Sequence, residues 1–297
     1  MCVKRVLITG INGYISQFLL QTRPENVEII GAARRDDLSA HALNIDALIK
    51  LDLSQAVQPQ LNALSGPVDA VIHTAAVSSL ALCQKEPELA LRVNAQATRE
   101  LAHWCKTNGA RLIYLSTDIV FKGDHPPYDE NSKPEPINHY GLSKWQGEIA
   151  VQETMDNFAI GRIALALAPG LNGTRNFIDW FLERLNNNET IPLFKDEIRT
   201  PTYTVELARR FWQLALSRAT GIYHICGAEA LDRFTLGQKL CDALGYGHKL
   251  LEAISLNDMT DYPRPVDVSL VCTQTPDGAD FKIPSILEFL PVMVGKR

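Results

Sequence analysis

The fold is decided at Val6-Leu7-Ile8-Thr9-Gly10-Ile11-Asn12-Gly13-Tyr14-Ile15-Ser16. An uncharged apolar run ends on a glycine, and helical spacing begins just beyond a second one. A strand that turns on glycine into a helix presents backbone N–H groups at the helix start, where a phosphate is held. Gly10 suits the tight turn, and Gly13 allows a pyrophosphate to approach the backbone beside Asn12, Tyr14 and Ile15. The third small position of this pattern, usually Gly or Ala, is Ser16. The alternative is two glycines in an ordinary surface turn, because so short a motif has many chance matches.

Working outward, residues 27–33, Ala70-Val71-Ile72 and Leu112-Ile113-Tyr114-Leu115 are compact apolar runs of the same kind. Such runs suit strands covered on both faces, as in a parallel sheet. Between them lie helical patterns, for example Leu89, Val93, Ala97 and Leu101 within residues 86–108, closed by the helix stop Asn108-Gly109. The expected class is therefore α/β, a doubly wound parallel sheet of the Rossmann type. From about residue 165 the texture changes to Pro169, Gly170, Asn172 and Gly173, with Asn186-Asn187-Asn188 as a further loop. Helical patterns return over 205–217 and 235–244, around an apolar Gly221-Ile222-Tyr223-His224-Ile225-Cys226 strand. The expected division is a dinucleotide-binding domain over 1–165 and a smaller α/β substrate domain, mainly 166–297. Part of 199–228 is expected to return to the first domain.

Composition narrows the function. The chain has 297 residues, 46% of them hydrophobic and 21% charged, which excludes a disordered or collagen-like chain. Lys plus Arg number 29 against 34 Asp plus Glu, a formal charge of −5, so nucleic acid is not an expected partner. No span approaches the ~20 apolar residues of a membrane helix. Six scattered cysteines without a C-x-x-C pair read as reduced thiols, and the expected compartment is the cytosol. No His or carboxylate cluster has metal-ligand spacing, so no metal is expected.

The second apolar run ends at Arg34-Arg35-Asp36-Asp37. A guanidinium here pairs with a 2′-phosphate, which favours NADP(H) over NAD(H). In the alternative, Asp36 or Asp37 binds a free ribose. Asp52 and Leu53, after the third run, and Thr74, Ala75 and Ala76, after the fourth, lie where loops line a dinucleotide crevice.

Chemistry is expected further on. Ser116-Thr117-Asp118 follows an apolar strand, and Tyr140-Gly141-Leu142-Ser143-Lys144 follows a proline-rich loop. Tyr140 and Lys144 share one helix face, and a nearby ammonium favours a phenolate. A hydroxyl such as Thr117 can hold a carbonyl beside the phenol. An exposed helix face is the alternative for the Tyr-x-x-x-Lys spacing. The upstream glycine turn and the strand-end Ser-Thr-Asp favour a site.

Together the glycine turn, His73-Thr74-Ala75-Ala76 and Tyr140-x-x-x-Lys144 resemble an extended short-chain dehydrogenase/reductase. Ser116-Thr117-Asp118-Ile119-Val120-Phe121, Pro127-Tyr128-Asp129-Glu130, Pro136, Arg199-Thr200-Pro201-Thr202, Gly221-Ile222-Tyr223-His224 and Pro263-Arg264-Pro265 narrow it to dTDP-4-dehydrorhamnose reductases. The resemblance implies Tyr140 as proton donor, Lys144 on the nicotinamide ribose, and Thr117 orienting a sugar ketone, with Ser116 the backup hydroxyl. It places Gly10, Asn12, Gly13 and Ile15 along the pyrophosphate, Ala75 and Ala76 beside the cofactor, and Asn94 as a supporting amide. The substrate is then a nucleotide-linked 4-keto-6-deoxysugar. Ser116, Asp118, Arg199 and Arg264 are candidates to contact it, the two arginines as phosphate ligands or else as ordinary ion pairs. Phe177 and Trp180 either stack on the ligand or belong to the core. Where related reductases carry an Arg-Thr-Ser-Trp-like stretch, this chain has Arg162-Ile163-Ala164-Leu165-Ala166. Two other functions fit the same scaffold: an epimerase or dehydratase, and a non-catalytic subunit like the regulatory β subunit of methionine adenosyltransferase. A homodimer through exposed helix faces is expected by analogy.

Overall fold

The computed structural model describes residues 3–34, 44–62, 64–258 and 261–295. Its centre is a seven-stranded sheet of β1 (Lys4–Thr9), β2 (Val27–Ala33), β3 (Ala47–Lys50), β4 (Ala70–His73), β5 (Arg111–Thr117), β6 (Phe158–Ile163) and β11 (Gly221–Ile225). The order is β11-β6-β5-β4-β1-β2-β3, and every neighbouring pair is parallel. The apolar runs thus form the doubly wound α/β sheet their composition calls for. β1 and β4 are neighbours from which the chain winds in opposite directions. A crevice opens at such a switch point, beyond the carboxyl ends of the strands.

Helices cover both faces. On one, α1 (Tyr14–Gln21) and α8 (Thr204–Leu216) bury Phe18, Leu19, Leu207, Phe211 and Trp212 against Val6, Ile8 and Ile72. The indole N–H of Trp212 donates to the Leu19 carbonyl at 2.9 Å and ties the two helices together. On the other, α2 (Val57–Leu61), α5 (Ala97–Asn108) and α6 (His139–Thr154) bury Leu61, Leu101, Trp104 and Val151 against Leu7, Val71 and Leu112. α5 stops where the sequence says, with Gly109 left-handed at φ 70°.

The helix expected over 86–108 is not continuous. After α3 (Leu80–Lys85), Pro87 opens the short α4 (Pro87–Leu91), a π-helical turn spans Arg92–Gln96, and α5 follows. A π turn inserts one residue and re-aims the side chains within it, frequently at functional sites. Here it turns Asn94 inward.

The remaining chain forms a separate apolar cluster. Leu167, Phe181, Leu193, Leu236, Leu240 and Ile286 meet there, drawn from β7 (Ala166–Leu167), α7 (Phe177–Asn186), β8 (Ile191–Phe194), α9 (Arg233–Leu244) and α10 (Ile286–Met293). The short strands β9 (Ile198–Arg199), β10 (Thr202–Tyr203), β12 (Leu231–Asp232) and β13 (Leu251–Ile254) pair locally, as β9 with β12 and β8 with β13. Between them the chain passes back through α8 and β11 to the large sheet. β9 also carries Arg199 toward the end of β5.

Candidate active site

The crevice begins at the quoted glycine turn. Gly10 has φ +66°, and a Cβ on it would lie 2.9 Å from the Ala75 Cα. Only glycine therefore lets the ends of β1 and β4 come this close. Thr9, just before the turn, shares a 2.7 Å hydrogen bond with Nδ1 of His73, and the Thr74 hydroxyl donates to the Thr9 carbonyl at 2.6 Å. Ser16 is fully buried, its hydroxyl 2.8 Å from that of Thr74. Its departure from Gly or Ala thus adds a hydrogen bond to the junction.

Helix α1 starts at Gly13, and no side chain caps it. The first N–H groups of a helix have no partner within it, so this end can receive a pyrophosphate. Asn12 and Gly13 are exposed beside it. Ile15 packs on the core, and the Tyr14 hydroxyl donates to the Ala168 carbonyl at 3.0 Å and lies 2.8 Å from the Thr204 hydroxyl. Burial drives the Tyr14 pKa up. Arg34 is exposed at the end of β2, while Arg35, Asp36 and Asp37 lie outside the described residues. Burial raises the Asp52 pKa, but Ser54 hydrogen bonds and then the Arg34 charge bring it below the ordinary range. Leu53 beside it is buried, and Ala75 and Ala76 are half-buried.

The second part of the site is built by α6 and the end of β5. Asn138 caps α6, its side-chain oxygen accepting from the Gly141 N–H at 2.8 Å. A Cβ on Gly141 would lie 2.2 Å from the Ile119 carbonyl oxygen, and one on Gly147 2.3 Å from the Tyr114 hydroxyl. These two glycines let the helix lie directly on β5 and the turn after it, which brings Tyr140 to Thr117. Thr117 acts on the phenol, while its own hydroxyl donates to the Asp118 Oδ1 at 3.1 Å. Burial pushes the phenol's pKa up to about 12; Thr117 and the Arg199 cation act to lower it, while Asp118 and Cys83 act to raise it.

Lys144, one turn on, is 1% exposed, with its Nζ 4.0 Å from the centre of the Tyr114 ring. Burial lowers its pKa to about 7, against the opposing pull of Glu148 and Cys83. The charge of Lys144 also acts on His73, whose pKa falls to about 3, chiefly through burial. His73 is bonded to Thr9, and its ring centre lies 5.6 Å from that of Tyr114, the ring beneath the lysine. Asn94 locks the floor. Its amide nitrogen donates to the Val77 carbonyl at 2.9 Å and the Ser143 hydroxyl at 2.9 Å, and its oxygen accepts from the Val77 N–H at 2.8 Å.

Beneath these groups lie two buried ion-pair systems. In one, Ser116 donates to Glu148 at 2.5 Å, and Glu148 takes the Arg162 guanidinium at 2.7 and 3.0 Å. In the other, Arg199 grips both oxygens of Asp118, which is fully buried. Arg199 also lies 3.6 Å from Glu197, which receives Arg233 at 2.9 Å and has Arg264 at 3.9 Å. Burial raises the Glu197 pKa, but the charges of Arg233, Arg199 and Arg264 bring it below the usual carboxylate range. Arg264 donates to the Tyr262 hydroxyl at 2.6 Å, and its guanidinium lies 5.4 Å from the centre of the Phe194 ring. Phe177 and Trp180 pack at the edge of the C-terminal cluster under Arg233 and Arg184, respectively.

Residues 4–296 match the family described as the RmlD substrate binding domain. The chain belongs to that family. It is similar to a probable low-salt glycan biosynthesis reductase of Haloferax volcanii, 28% identical over 87% of this chain and 85% of the relative. It is also similar to the methionine adenosyltransferase 2 subunit beta of Xenopus tropicalis, 28% identical over 91% of this chain and 81% of that protein. Among solved structures, dTDP-4-dehydrorhamnose reductase from Bacillus anthracis in complex with NADP superposes with a TM-score of 0.85. It is 26% identical, over 99% of this chain and all of that one.

Sequence reasoning brought together Gly10, Thr74, Ala75, Thr117, Tyr140 and Lys144 in this RmlD-family chain. It missed Glu148 and Glu197 as partners of buried arginines. Glu148 had a local signal, since it lies one turn beyond Lys144 on the same helix. Glu197 had one too, standing two residues before Arg199, whereas Arg233 had none, because only the fold of the C-terminal segment brings it to Glu197. Among the described residues no group of three or more His, Cys, Asp or Glu side chains is arranged to hold a metal, and no helix is long and apolar enough to cross a membrane.

Proposed function

We propose that this protein is an NADPH-dependent reductase of a nucleotide-linked 4-keto-6-deoxysugar. One observation carries the reading. Lys144, one helical turn from Tyr140, and His73, bonded to Thr9 before the uncapped glycine turn, both lie against the Tyr114 ring, at 4.0 Å and 5.6 Å from its centre, which supports one site at the switch point. An acid poised beside a phosphate-binding helix start suits carbonyl reduction with a dinucleotide.

The glycine turn and the first N–H groups of α1 would hold the cofactor's pyrophosphate, and Arg34 its 2′-phosphate. When bound, NADPH supplies the hydride for the ketone carbon. Thr117 orients the ketone oxygen by hydrogen bonding. Tyr140 delivers the proton to that oxygen, and desolvation of its half-buried side chain keeps the phenol protonated until the transfer. Lys144 binds the nicotinamide ribose, and the Arg199 cation steadies the charge left on Tyr140. The C-terminal segment from residue 166 caps the crevice, where Arg264 faces the nucleotide phosphates.

Tyr140→Phe tests this reading. Turnover of NADPH with a dTDP-linked 4-keto-6-deoxysugar should fall by about two to four decades, with the NADPH dissociation constant changed less than about threefold. Unaltered turnover would remove Tyr140 from the mechanism. The similarity to the methionine adenosyltransferase β subunit supports a second reading, a cofactor-binding regulatory subunit. Wild-type protein that binds NADPH yet oxidises none with any such sugar would favour it.

A further inference from the structure

Gln17, in the second half of α1's first turns, is 3% exposed, and both ends of its amide are engaged. Its Nε2 donates to the Ile11 carbonyl, inside the glycine turn, at 3.0 Å. Its Oε1 accepts from the side-chain nitrogen of Asn172 at 2.6 Å. These partners fix which way the amide lies, because a carbonyl only accepts. Asn172 belongs to the loop between β7 and α7, 155 residues further along the chain. That loop is held by bonds of its own. The Asp179 carboxylate accepts from the Gly170 and Asn176 N–H groups, each at 3.0 Å, and the Thr174 N–H donates to the Leu171 carbonyl at 3.0 Å. Asn172 itself is left-handed at φ 52°, a conformation asparagine tolerates. A built loop of the C-terminal segment thus presents one amide to the glycine turn.

The two amides act on the peptide between Ile11 and Asn12. In a trans peptide the C=O and the N–H point in opposite directions. With its carbonyl drawn inward by Gln17, this peptide turns its N–H toward the side where Asn12 and Gly13 are exposed, beside the uncapped start of α1. Among the described residues no group is bonded to the Asn12 N–H. Asn12 tolerates the left-handed conformation, so without a hold the peptide can rotate and bring its carbonyl oxygen to face a bound anion. We propose that Gln17 and Asn172 are positioning residues for the cofactor, holding the Ile11–Asn12 peptide with its N–H toward the pyrophosphate. This rests on the NADPH site of the reductase reading. Asn172 acts through Gln17: by occupying Oε1 it leaves Nε2 to Ile11. The C-terminal segment thereby sets the affinity of the turn at the end of β1.

Calorimetric titration of wild type, Gln17→Met, Asn172→Ala and the double variant tests this. Two ligands are compared: NADP+, and 2′-AMP, which carries the 2′-phosphate but no pyrophosphate. Methionine keeps the length of glutamine and has no donor. Gln17→Met should weaken NADP+ at least about tenfold and 2′-AMP less than about twofold. Asn172 is exposed, so water can stand in for its amide, and Asn172→Ala should weaken NADP+ only about threefold. Because Asn172 acts through Gln17, the double variant should match Gln17→Met within about twofold.

NADP+ bound by Gln17→Met as tightly as by wild type, or equal losses for the two ligands, overturns the proposal. So does a double variant in which the two losses multiply. If Gln17→Met does not fold, Asn172→Ala decides: a loss confined to NADP+ supports the relay, and an unchanged constant overturns it. Wild-type protein that binds no NADP+ would overturn the cofactor reading itself and the proposal with it, an outcome distinct from every variant result.

Discussion

Lys144 makes the most exacting test of the site's electrostatics. Its ammonium is 1% exposed, and burial brings its pKa to about 7 from the ordinary 10.5. That shift corresponds to about 5 kcal/mol of differential stabilisation between the two protonation states. Below pH 7 the lysine is protonated whether the chain is folded or unfolded, and the folded state carries the full cost of the buried charge. Between about 7 and 10.5 the unfolded chain keeps the proton that the folded one has released, so stability rises with pH. From pH 7 to pH 9 the gain from this group comes to about 2 kcal/mol. Lys144→Met keeps the length of the side chain but has nothing to titrate. Urea unfolding of the cofactor-free protein at both pH values should show wild type gaining about 2 kcal/mol relative to the variant. All other groups cancel in the comparison. Parallel pH trends in the two proteins would refute the argument that this ammonium sits in a dry environment.

Gly10→Ala places a Cβ 2.9 Å from the Ala75 Cα at a φ of +66°, so it should destabilise the protein by about 1–3 kcal/mol. It should also weaken NADPH binding at least about tenfold, as read by quenching of protein fluorescence. Arg34→Ser should raise the NADPH dissociation constant about tenfold and leave that for NADH unchanged; equal losses would show that Arg34 does not read the 2′-phosphate. Arg162→Met leaves Glu148 buried without its cation and should cost about 3–5 kcal/mol by thermal unfolding, most of it restored when Glu148→Gln is added.

The sheet was legible because its strands are apolar on both faces and its turns are marked by glycine. Val6 to Ile8 and Leu112 to Leu115 carry no charge, and Asn108-Gly109 ends α5 as written. The interruption at Arg92–Gln96 was not legible, because a π turn keeps the apolar spacing on either side and differs only in one inserted residue. The reacting end was legible for a local reason, since Tyr140 and Lys144 are one helical turn apart. Its electrostatics were not. The sequence assigns the cation beside the phenol to Lys144, whereas the cation acting to lower the phenol's pKa is Arg199. Arg199 arrives only through tertiary folding, and so does Glu197 beneath it. Arg264 keeps its place as a phosphate candidate, stacked on Tyr262 at 4.8 Å, while the arginine expected to share that task is enclosed by Asp118.

The position of β11 has a consequence for how the molecule is made. This last strand covers the edge of β6, and α8 just before it shields Ile8, Ile72 and Ile113. During synthesis the ribosome must therefore pass residue 225 before the large sheet gains its outer strand. Until then a nascent chain exposes an unpaired strand edge and an uncovered apolar face, the surfaces through which unfinished proteins stick to one another. Slow codons or a chaperone would matter most in the interval between the emergence of β6 and that of β11.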